Sequence, residues 1–443
     1  MGRRKKPEYT GRCIVMHGRS MMSLVIAHSL GKRGIEVIGC DDAEFTVLSF
    51  SRYVKTNFVH PRFDQTPDRF IDDLVEKVKK HRPTDDRPYV LMPVFWETDL
   101  IARFRSRFEP YVTVAAPMYD SITRVHPKDH LAETAKELGV AVPRTWHPRD
   151  EAEFDALLPE LRFPVMVKPT DGTGGRGIDR GDTHDQTRRL LRRAWTEQNR
   201  FPLVQEFAPG DDYCLTVLFE NGVLKASMAY RNIHRFPAES GAGSMRETVT
   251  DTALTRIAVE LLGPLNWNGI AELDFRWDGR AESTPLLLEV NTRFWAGLFQ
   301  SVDSGVDFPW LLYSLAVNGT VESPVPRAIG RKTKTPGLWM LSAVRDVVTT
   351  EKDYERLRIS WQEVVARIKD KDLRTAFATI AQSTEKKRSL RETLSALRRV
   401  FAEARSARND TFFRDDPFVV FGVMYILGSL IRHRRLPPEF KSR

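Results

Sequence analysis

Residues 167–178 read VKPTDGTGGRGI and contain Gly172-x-Gly174-x-x-Gly177, with Gly175 between them. Glycines at such spacing let backbone amides approach phosphate oxygens with no Cβ in the way. The same spacing marks dinucleotide-binding turns, but those also need a strand before, a helix immediately after and an acidic residue about 20 positions on. Only the strand before is present, in Phe163–Lys168. Ile178 to Asp182 reads as a short strand and turn, and helical periodicity resumes near Thr183. The position where the acid should stand falls in AWTEQNR, at a helix end. A dinucleotide fold is excluded by this context, and a different phosphate-binding architecture is required.

Upstream, GRCIVMHGRSMMSLVIAHSLGKRGIEVIGCDD predicts a strand (Cys13–Met16), a loop, an amphipathic helix (Met21–Gly31) and a second strand (Glu36–Cys40). Such a βαβ start favours a parallel sheet with helices packed on it. A helix at Asp68–Lys80 and apolar runs at Tyr89–Pro93 and Tyr111–Ala115 continue the alternation, so the first domain is expected to span residues 1–116. HPKDHLAETAKELGVAVPRTW then gives a helix Leu131–Leu138, stopped by Gly139 with Pro143 beyond it. After the glycine loop come a helix near Thr183–Trp195 and a strand Leu203–Phe207. The strands Tyr213–Phe219 and Leu224–Tyr230 flank Asn221-Gly222, a hairpin signal. A helix Ala253–Leu262 leads to the strands Gly269–Trp277 and Pro285–Val290. This second domain, residues 117–325, therefore mixes helices with antiparallel pairs, and the fold class is α/β followed by α+β.

The chemistry concentrates in four places. GIAELDFRW and LLLEVNTRFW put acids inside otherwise apolar strands. Glu272 and Asp274 are two apart and share a face, as do Glu289, Asn291 and Arg293. Acids buried in strands are costly unless paired or metal-bound. Two carboxylates and an amide oxygen make a hard oxygen site suited to Mg²⁺ beside nucleotide phosphates, with Mn²⁺ an equivalent occupant. Arg293, next to them, can steady a transferring phosphoryl group. Lys168 ends an apolar strand just before the glycine loop, where its charge can neutralise phosphate. VQEFAPGDDY, Val204–Tyr213, ends a strand in Gln-Glu before a Pro-Gly bend, and can offer backbone groups to a purine and a carboxylate to a ribose. Lys128 stands in HPKDH, ahead of a helix.

Together these pieces resemble the ATP-grasp superfamily over roughly residues 11–325, most closely its carbamoyl-phosphate-synthase-like and D-aspartate-ligase-like carboligases. FPVMVKPTDGTGGRGI looks like the family's strand lysine and phosphate loop, a lid over 169–177. VQEFAPGDDY looks like its adenine segment, and AELDF with LLLEVNTRFW like its metal strands. The first domain looks like the pre-ATP-grasp domain, with SRYV (Ser51–Val54) and MPVFWETD (Met92–Asp99) in familiar places. The resemblance implies that Lys128 and Lys168 contact ATP phosphates, with Gly172, Gly174, Gly175 and Gly177 above them. It places Glu206 and the backbone near Phe207 at the adenine, and Asp212 at the ribose. Asp274, Glu289 and Asn291 are assigned to Mg²⁺, Glu272 to a position behind them, and Arg293 to the reacting group.

The implied reaction activates a carboxylate as an acyl phosphate, which an amine then displaces. Activation of bicarbonate or a hydroxyl, and nucleotide binding without catalysis, are the alternatives. In Tyr230–Glu247, Arg231, Arg235, Ser244 and Arg246 are candidates for the substrate carboxylate.

Three scattered cysteines give neither a disulfide framework nor a cysteine metal site, and fit a reducing cytoplasm. The basic start MGRRKK is followed by an apolar stretch that His17-Gly-Arg19 interrupts, so no secretion signal is expected. From Arg331 onward there are 25 Lys+Arg and 14 Asp+Glu, leaving 43 and 45 in residues 1–330. The net charge of +9 thus belongs to a basic, helical C-terminal region, 326–443. Its run Phe418–Ile431 is apolar, but 14 residues make about 21 Å of helix, short of the roughly 20 residues that span a bilayer. That run is expected to dock on the catalytic domain or, with Arg432-His-Arg-Arg435, to meet an anionic membrane surface or a lipid-linked acceptor. Nucleic acid is not an expected partner, since no binding module accompanies the charge. A homodimer remains open at this point.

Overall fold

The computed structural model describes residues 9–170, 177–198, 201–236 and 242–322. Between 325 and 421 it describes short stretches, chiefly 327–336 and 405–419. Gly172, Gly174 and Gly175 lie outside the described residues, as do most of the basic C-terminal region and nearly all of 418–431. The chain divides into two units. One holds the described residues of 1–231, 248–330 and 411–443; the other holds those of 232–247 and 331–410.

The first unit begins with β1 (Gly11–Val15), β2 (Ile35–Asp41), β3 (Val54–Val59), β4 (Tyr89–Met92) and β5 (Thr113–Val114). They form one parallel sheet in the order β3-β2-β1-β4-β5. Every residue of β2 is buried, as a strand covered on both faces must be. In β1, Cys13 and Val15 pack on one side against the helix Met21–Lys32, whose start is capped by the Ser20 hydroxyl accepting from Met22 N at 3.1 Å. Ile14 and Met16 pack on the other side with Phe70, Ile71 and Leu74 of the helix Pro67–Lys80. The chain runs outward from β1 to β3 and then returns to β4 on the opposite side. The sheet therefore has a switch point between β1 and β4, where clefts open beyond the strands' carboxyl ends.

The strands β6 (Thr145–Trp146), β7 (Val165–Lys168), β8 (Asp179–Gly181) and β9 (Leu203–Glu206) make an antiparallel sheet in the order β6-β9-β7-β8. The helices Glu151–Leu157 and His184–Gln198 accompany it, and Phe154, Val167, Leu191 and Val204 form its core. The glycine loop thus connects two paired strands, β7 and β8, which is the geometry that excludes a dinucleotide turn. The preceding helix begins at Lys128, not at Leu131, because Pro127 caps it and a polar turn, Lys128 to His130, precedes the apolar periodicity.

The remaining strands are β10 (Asp211–Glu220), β11 (Val223–Phe236), β12 (Ala242–Val249), β13 (Gly269–Trp277) and β14 (Leu286–Asn291). Within the first unit β14, β13, β10 and the start of β11 lie side by side, all antiparallel. Asn221 (φ 47°) and Gly222 (φ 81°) make the β10–β11 turn, both in the left-handed region that such a hairpin demands. Leu215, Val217 and Phe219 of β10 pack with Leu273 and Phe275 of β13 and with the helix Thr252–Leu262.

In the second unit, residues 245–247 of β12 pair antiparallel with β15 (Lys332–Lys334), which pairs in parallel with β16 (Arg408–Asn409). Met245, Trp339 and Ala407 are its buried apolar residues among those described. No described helix is long and apolar enough to cross a membrane.

Candidate functional site

Antiparallel register sets Asp274 opposite Glu289 and Glu272 opposite Asn291 across β13 and β14. Strand alternation turns both acids of β13 to one face, so the four polar groups meet in a strip flanked by buried Leu273 and Val290. Asn291 Nδ2 lies 3.4 Å from Glu272 Oε2 and 3.3 Å from Asp274 Oδ2. The Tyr230 hydroxyl donates to Glu272 from β11. Three cations close the strip. Lys128 Nζ is 3.0 Å from Glu289 Oε1, and an Arg293 amine donates to Asn291 Oδ1 at 3.0 Å. Lys168 Nζ donates to Gln205 Oε1 at 2.5 Å, and Gln205 in turn donates to the Thr145 hydroxyl at 2.8 Å. The backbone of Lys128 also donates to the Thr170 carbonyl at 3.4 Å, tying the start of that helix to the end of β7.

Burial decides the electrostatics. It raises the Asp274 carboxyl well above its ordinary range, and the neighbouring carboxylates Glu272 and Glu289 add to the rise. Burial also pushes Glu289 upward, but Lys128, Arg293 and Lys168 outweigh it and hold that carboxyl below its ordinary value. Burial lowers Lys168 to about 8, against the pull of Glu289. Three carboxylates crowded on two paired strands, beside the Asn291 amide whose oxygen accepts from Arg293, are hard oxygen donors, and a bound cation would favour the ionised form of Asp274. That set fits a divalent cation with oxygen preference. Cys214 lies close to Glu272 and Asp274, their ligand atoms all within 4.8 Å of one another. Its thiol is buried and raised well above its ordinary value by that burial, so it stays a protonated neighbour rather than a thiolate ligand.

The other expected residues fall as follows. Glu206 ends β9 partly exposed, its carboxylate 3.9 Å from Arg144, and its amide donates to the Arg144 carbonyl at 2.9 Å. Phe207 is exposed, and the Arg180 guanidinium stands 5.2 Å above its ring. Asp212 is held by Arg276 at 3.0 Å, its direct partner in the β10–β13 register. Gly177 has φ 70°, the left-handed conformation expected where the loop rejoins β8. Arg231 pairs with Asp211 at 3.5 Å. Arg235 lies partly exposed in the second unit. Ser244 and Arg246 lie there too, buried. The Arg246 guanidinium donates to the Gly243 carbonyl and stands 3.6 Å from Asp410. The Arg246 side chain is therefore turned to the chain's own groups.

A pocket beside the strip brings in residues that the sequence did not single out individually. It is lined by Glu289, Asn291, Thr292 and Arg293 together with Phe95, Trp96, Asp99 and His126. The Arg293 guanidinium sits 4.5 Å over the Phe95 ring. Phe95 also stacks on His17, ring centres 4.8 Å apart, at the ends of β4 and β1. The cleft expected at the sheet's switch point is thus the place where the β14 polar strip arrives.

The comparisons with known proteins agree with this fold. Residues 199–334 match the family model described as "ATP-grasp in the biosynthetic pathway with Ter operon". The chain has the ATP-grasp fold. Among solved ATP-grasp structures it is similar to the biotin carboxylase domain of 2-oxoglutarate carboxylase from Hydrogenobacter thermophilus, in complex with MgADP, ADP and bicarbonate. The match has TM-score 0.59 and 15% identity, over 73% of this chain and 74% of that one. It is also similar to L-amino acid ligase from Bacillus licheniformis, with TM-score 0.56 and 15% identity over 71% and 76% of the two chains. A third likeness is N5-carboxyaminoimidazole synthetase from Staphylococcus aureus complexed with ADP, with TM-score 0.58 and 16% identity over 73% and 81%. No curated protein sequence matches the chain.

Proposed function

We propose that this chain is an ATP-dependent, ADP-forming carboxylate–amine ligase that works through an acyl phosphate. The observation that carries the reading is the partly buried strip of Asp274, Glu289 and Asn291 between Lys128, Lys168 and Arg293. Its three cations and its three carboxylates, counting Glu272, are balanced as they stand. A triphosphate added to that balance needs further positive charge. A divalent cation such as Mg²⁺ would be held by Asp274, Glu289 and Asn291, and would supply it by neutralising charge on the phosphates.

The chain's own residues do the rest. Lys168, pinned by Gln205 at the mouth of the glycine loop, and Lys128 hold phosphate oxygens. Arg293, fixed by Asn291, the Phe294 carbonyl at 2.9 Å and the Phe95 ring, faces the group that receives the phosphoryl. Phosphoryl transfer asks chiefly for positioning and charge neutralisation, and the site holds lysines, acids and one arginine instead of a nucleophile. The glycine loop 169–177 serves as a lid that keeps water from the acyl phosphate. We assign the adenine to the Glu206–Phe207 segment and the ribose to Asp212, and the domain limits to residues 116 and 325. The named likenesses include an amino acid ligase and a synthetase, which supports amide or peptide bond formation with an amino acid substrate.

ADP release by purified protein across a panel of amino acids and amines, with mass spectrometry of products, tests this. Hydroxylamine in place of the amine should trap a hydroxamate. Release of AMP and pyrophosphate would overturn the acyl-phosphate reading. ADP release with bicarbonate alone would point instead to a carboxylating enzyme, the reading favoured by the biotin carboxylase likeness.

A further inference from the structure

The pocket brings opposite charges together. Arg293 and Asn291 supply a cation and an amide, where the ligase reading puts the acyl phosphate. Asp99 lines the same pocket from the helix Glu97–Arg103 that follows β4. One Asp99 oxygen accepts from the Thr292 hydroxyl at 3.0 Å, and the other faces His126 Nε2 at 3.5 Å. Both side chains keep an open side, Asp99 being 34% and His126 24% exposed, so neither is sealed as a purely internal pair would be. The turn leading into the Asp99 helix is tied down by Glu97, which accepts from the amides of Val94 and Phe95 at 3.0 and 3.1 Å. The Trp96 indole N–H, lining the same pocket, is buried and has no hydrogen-bond partner among the described residues. An acid–imidazole pair that keeps an open side and lines the same pocket as Arg293 is placed to hold a ligand.

We propose that Asp99 and His126 form the subsite for the amine nucleophile: Asp99 receives it as an ammonium, and His126 takes the proton that it must lose. This rests on the ligase reading above. An ammonium has no free electron pair and cannot attack. Once one proton has passed to the imidazole, the nitrogen pair forms the C–N bond to the acyl carbon. The bond from that carbon to the phosphate oxygen breaks, and its electron pair leaves with inorganic phosphate. The second proton of the new amide nitrogen goes to the departing phosphate. Asp99 steadies the imidazolium, and Thr292 fixes the Asp99 carboxylate on the strand that carries the reacting centre. General-base assistance of this kind is worth about 10²–10⁴-fold in rate.

The test uses hydroxylamine, which is already neutral near pH 7 and needs no base. Full-length wild type, Asp99→Asn and His126→Gln are incubated with ATP, Mg²⁺ and the pooled common amino acids, with or without hydroxylamine. Thermal melts run alongside, and a His126→Asn protein is included should the glutamine not fit. The expected result is amide formation reduced by about 100-fold or more in both variants, with hydroxamate formation within about threefold of wild type. Added imidazole should restore part of the amide formation to a His126→Ala protein. Parallel loss of both products, or amide formation unchanged, overturns the subsite while leaving the ligase reading standing. A wild type that releases no ADP and makes no hydroxamate overturns the ligase reading, and the subsite with it.

Discussion

Asp274 and Glu289 face each other across the β13–β14 ladder, and their environments push them in opposite directions. Asp274 is raised by burial and by two neighbouring carboxylates. Glu289, for all its burial, is held down by Lys128, Arg293 and Lys168. A carboxyl raised on folding contributes stability below its unfolded value and loses it as pH climbs through the folded value. The metal-free protein should therefore lose stability as pH rises above the carboxylate range, and Mg²⁺ should reduce that loss. Cation at 100 times its Kd should add about 2.7 kcal/mol, read as a rise in melting temperature. Asp274→Asn should be neutral or stabilising without metal and should abolish the Mg²⁺ response.

Glu289→Ala or Asn291→Ala should abolish ADP formation while the fold survives, as circular dichroism would show. Glu289→Ala carries an added cost because it leaves Lys128 without its carboxylate. Normal ATP turnover by the double variant Asp274→Ala/Glu289→Ala would remove the strip from the mechanism.

Lys168, lowered to about 8 by burial, is charged below that pH and increasingly neutral above it. A bound triphosphate favours the charged form, so nucleotide affinity should fall between pH 8 and 9.5. Binding in that range should take up a proton, measurable by calorimetry in buffers of different ionisation heat. Lys168→Ala should remove the proton uptake and slow turnover by about 3 kcal/mol in barrier height.

Gly210, in the bend after β9, has φ 110°, and a Cβ there would stand 2.6 Å from the Trp277 carbonyl. Gly210→Ala should cost about 1–3 kcal/mol of stability by chemical denaturation and weaken nucleotide binding, because it displaces the segment carrying Glu206 and Asp212.

Residues 411–419 return to the first sheet's covering helix. Asp415 meets His28 at 2.9 Å, the Tyr53 hydroxyl at 2.9 Å and Lys32 at 3.2 Å, while Asp416 accepts from Ser51 and from the Arg52 amide. Phe413 and Val419 are buried there. The hydrogen bond from His28 holds the Asp415 carboxyl well below its ordinary value, so its contribution is present above that value and lost in acid. Burial and the bond to Asp415 raise Tyr53 to about 12, so its contribution fades only as pH passes upward through that value. Amide protection in 411–419, corrected for the intrinsic exchange rate, should hold at neutral pH and fall in acid. Deletion of 410–443 should expose apolar surface and cause aggregation. Sedimentation with anionic vesicles at low salt then tests membrane contact, for Phe418 and Phe421 are exposed and stacked beside buried Val419.

The strip of acids on β13 and β14 was legible because acids at alternate positions in apolar strands have no cheap structural excuse, and Lys168 stood out because it ends such a strand before glycines. Asp99 and His126 were not. Each looks like an ordinary surface residue until the switch from β1 to β4 carries Asp99 to Thr292, 193 positions away. Gln205 was read as part of the purine segment, yet its side chain turns across to Lys168, a pairing fixed by the β7–β9 ladder. Asp212 shows the same blindness, since only the β10–β13 register reveals Arg276 as its partner. Arg246 resembled a loop arginine because nothing nearby in sequence announces Asp410.

The pairing of His28 with Asp415 spans 387 positions. As the chain leaves the ribosome, the helix Met21–Lys32 therefore waits for hundreds of further residues before its outer face is covered. The helix Phe308–Asn318, whose Asp307 cap accepts from Ser29 at 2.7 Å, arrives late for the same reason. Loops of such length are slow to close, and an opening domain left bare for so long is the part of this molecule that a chaperone would hold first.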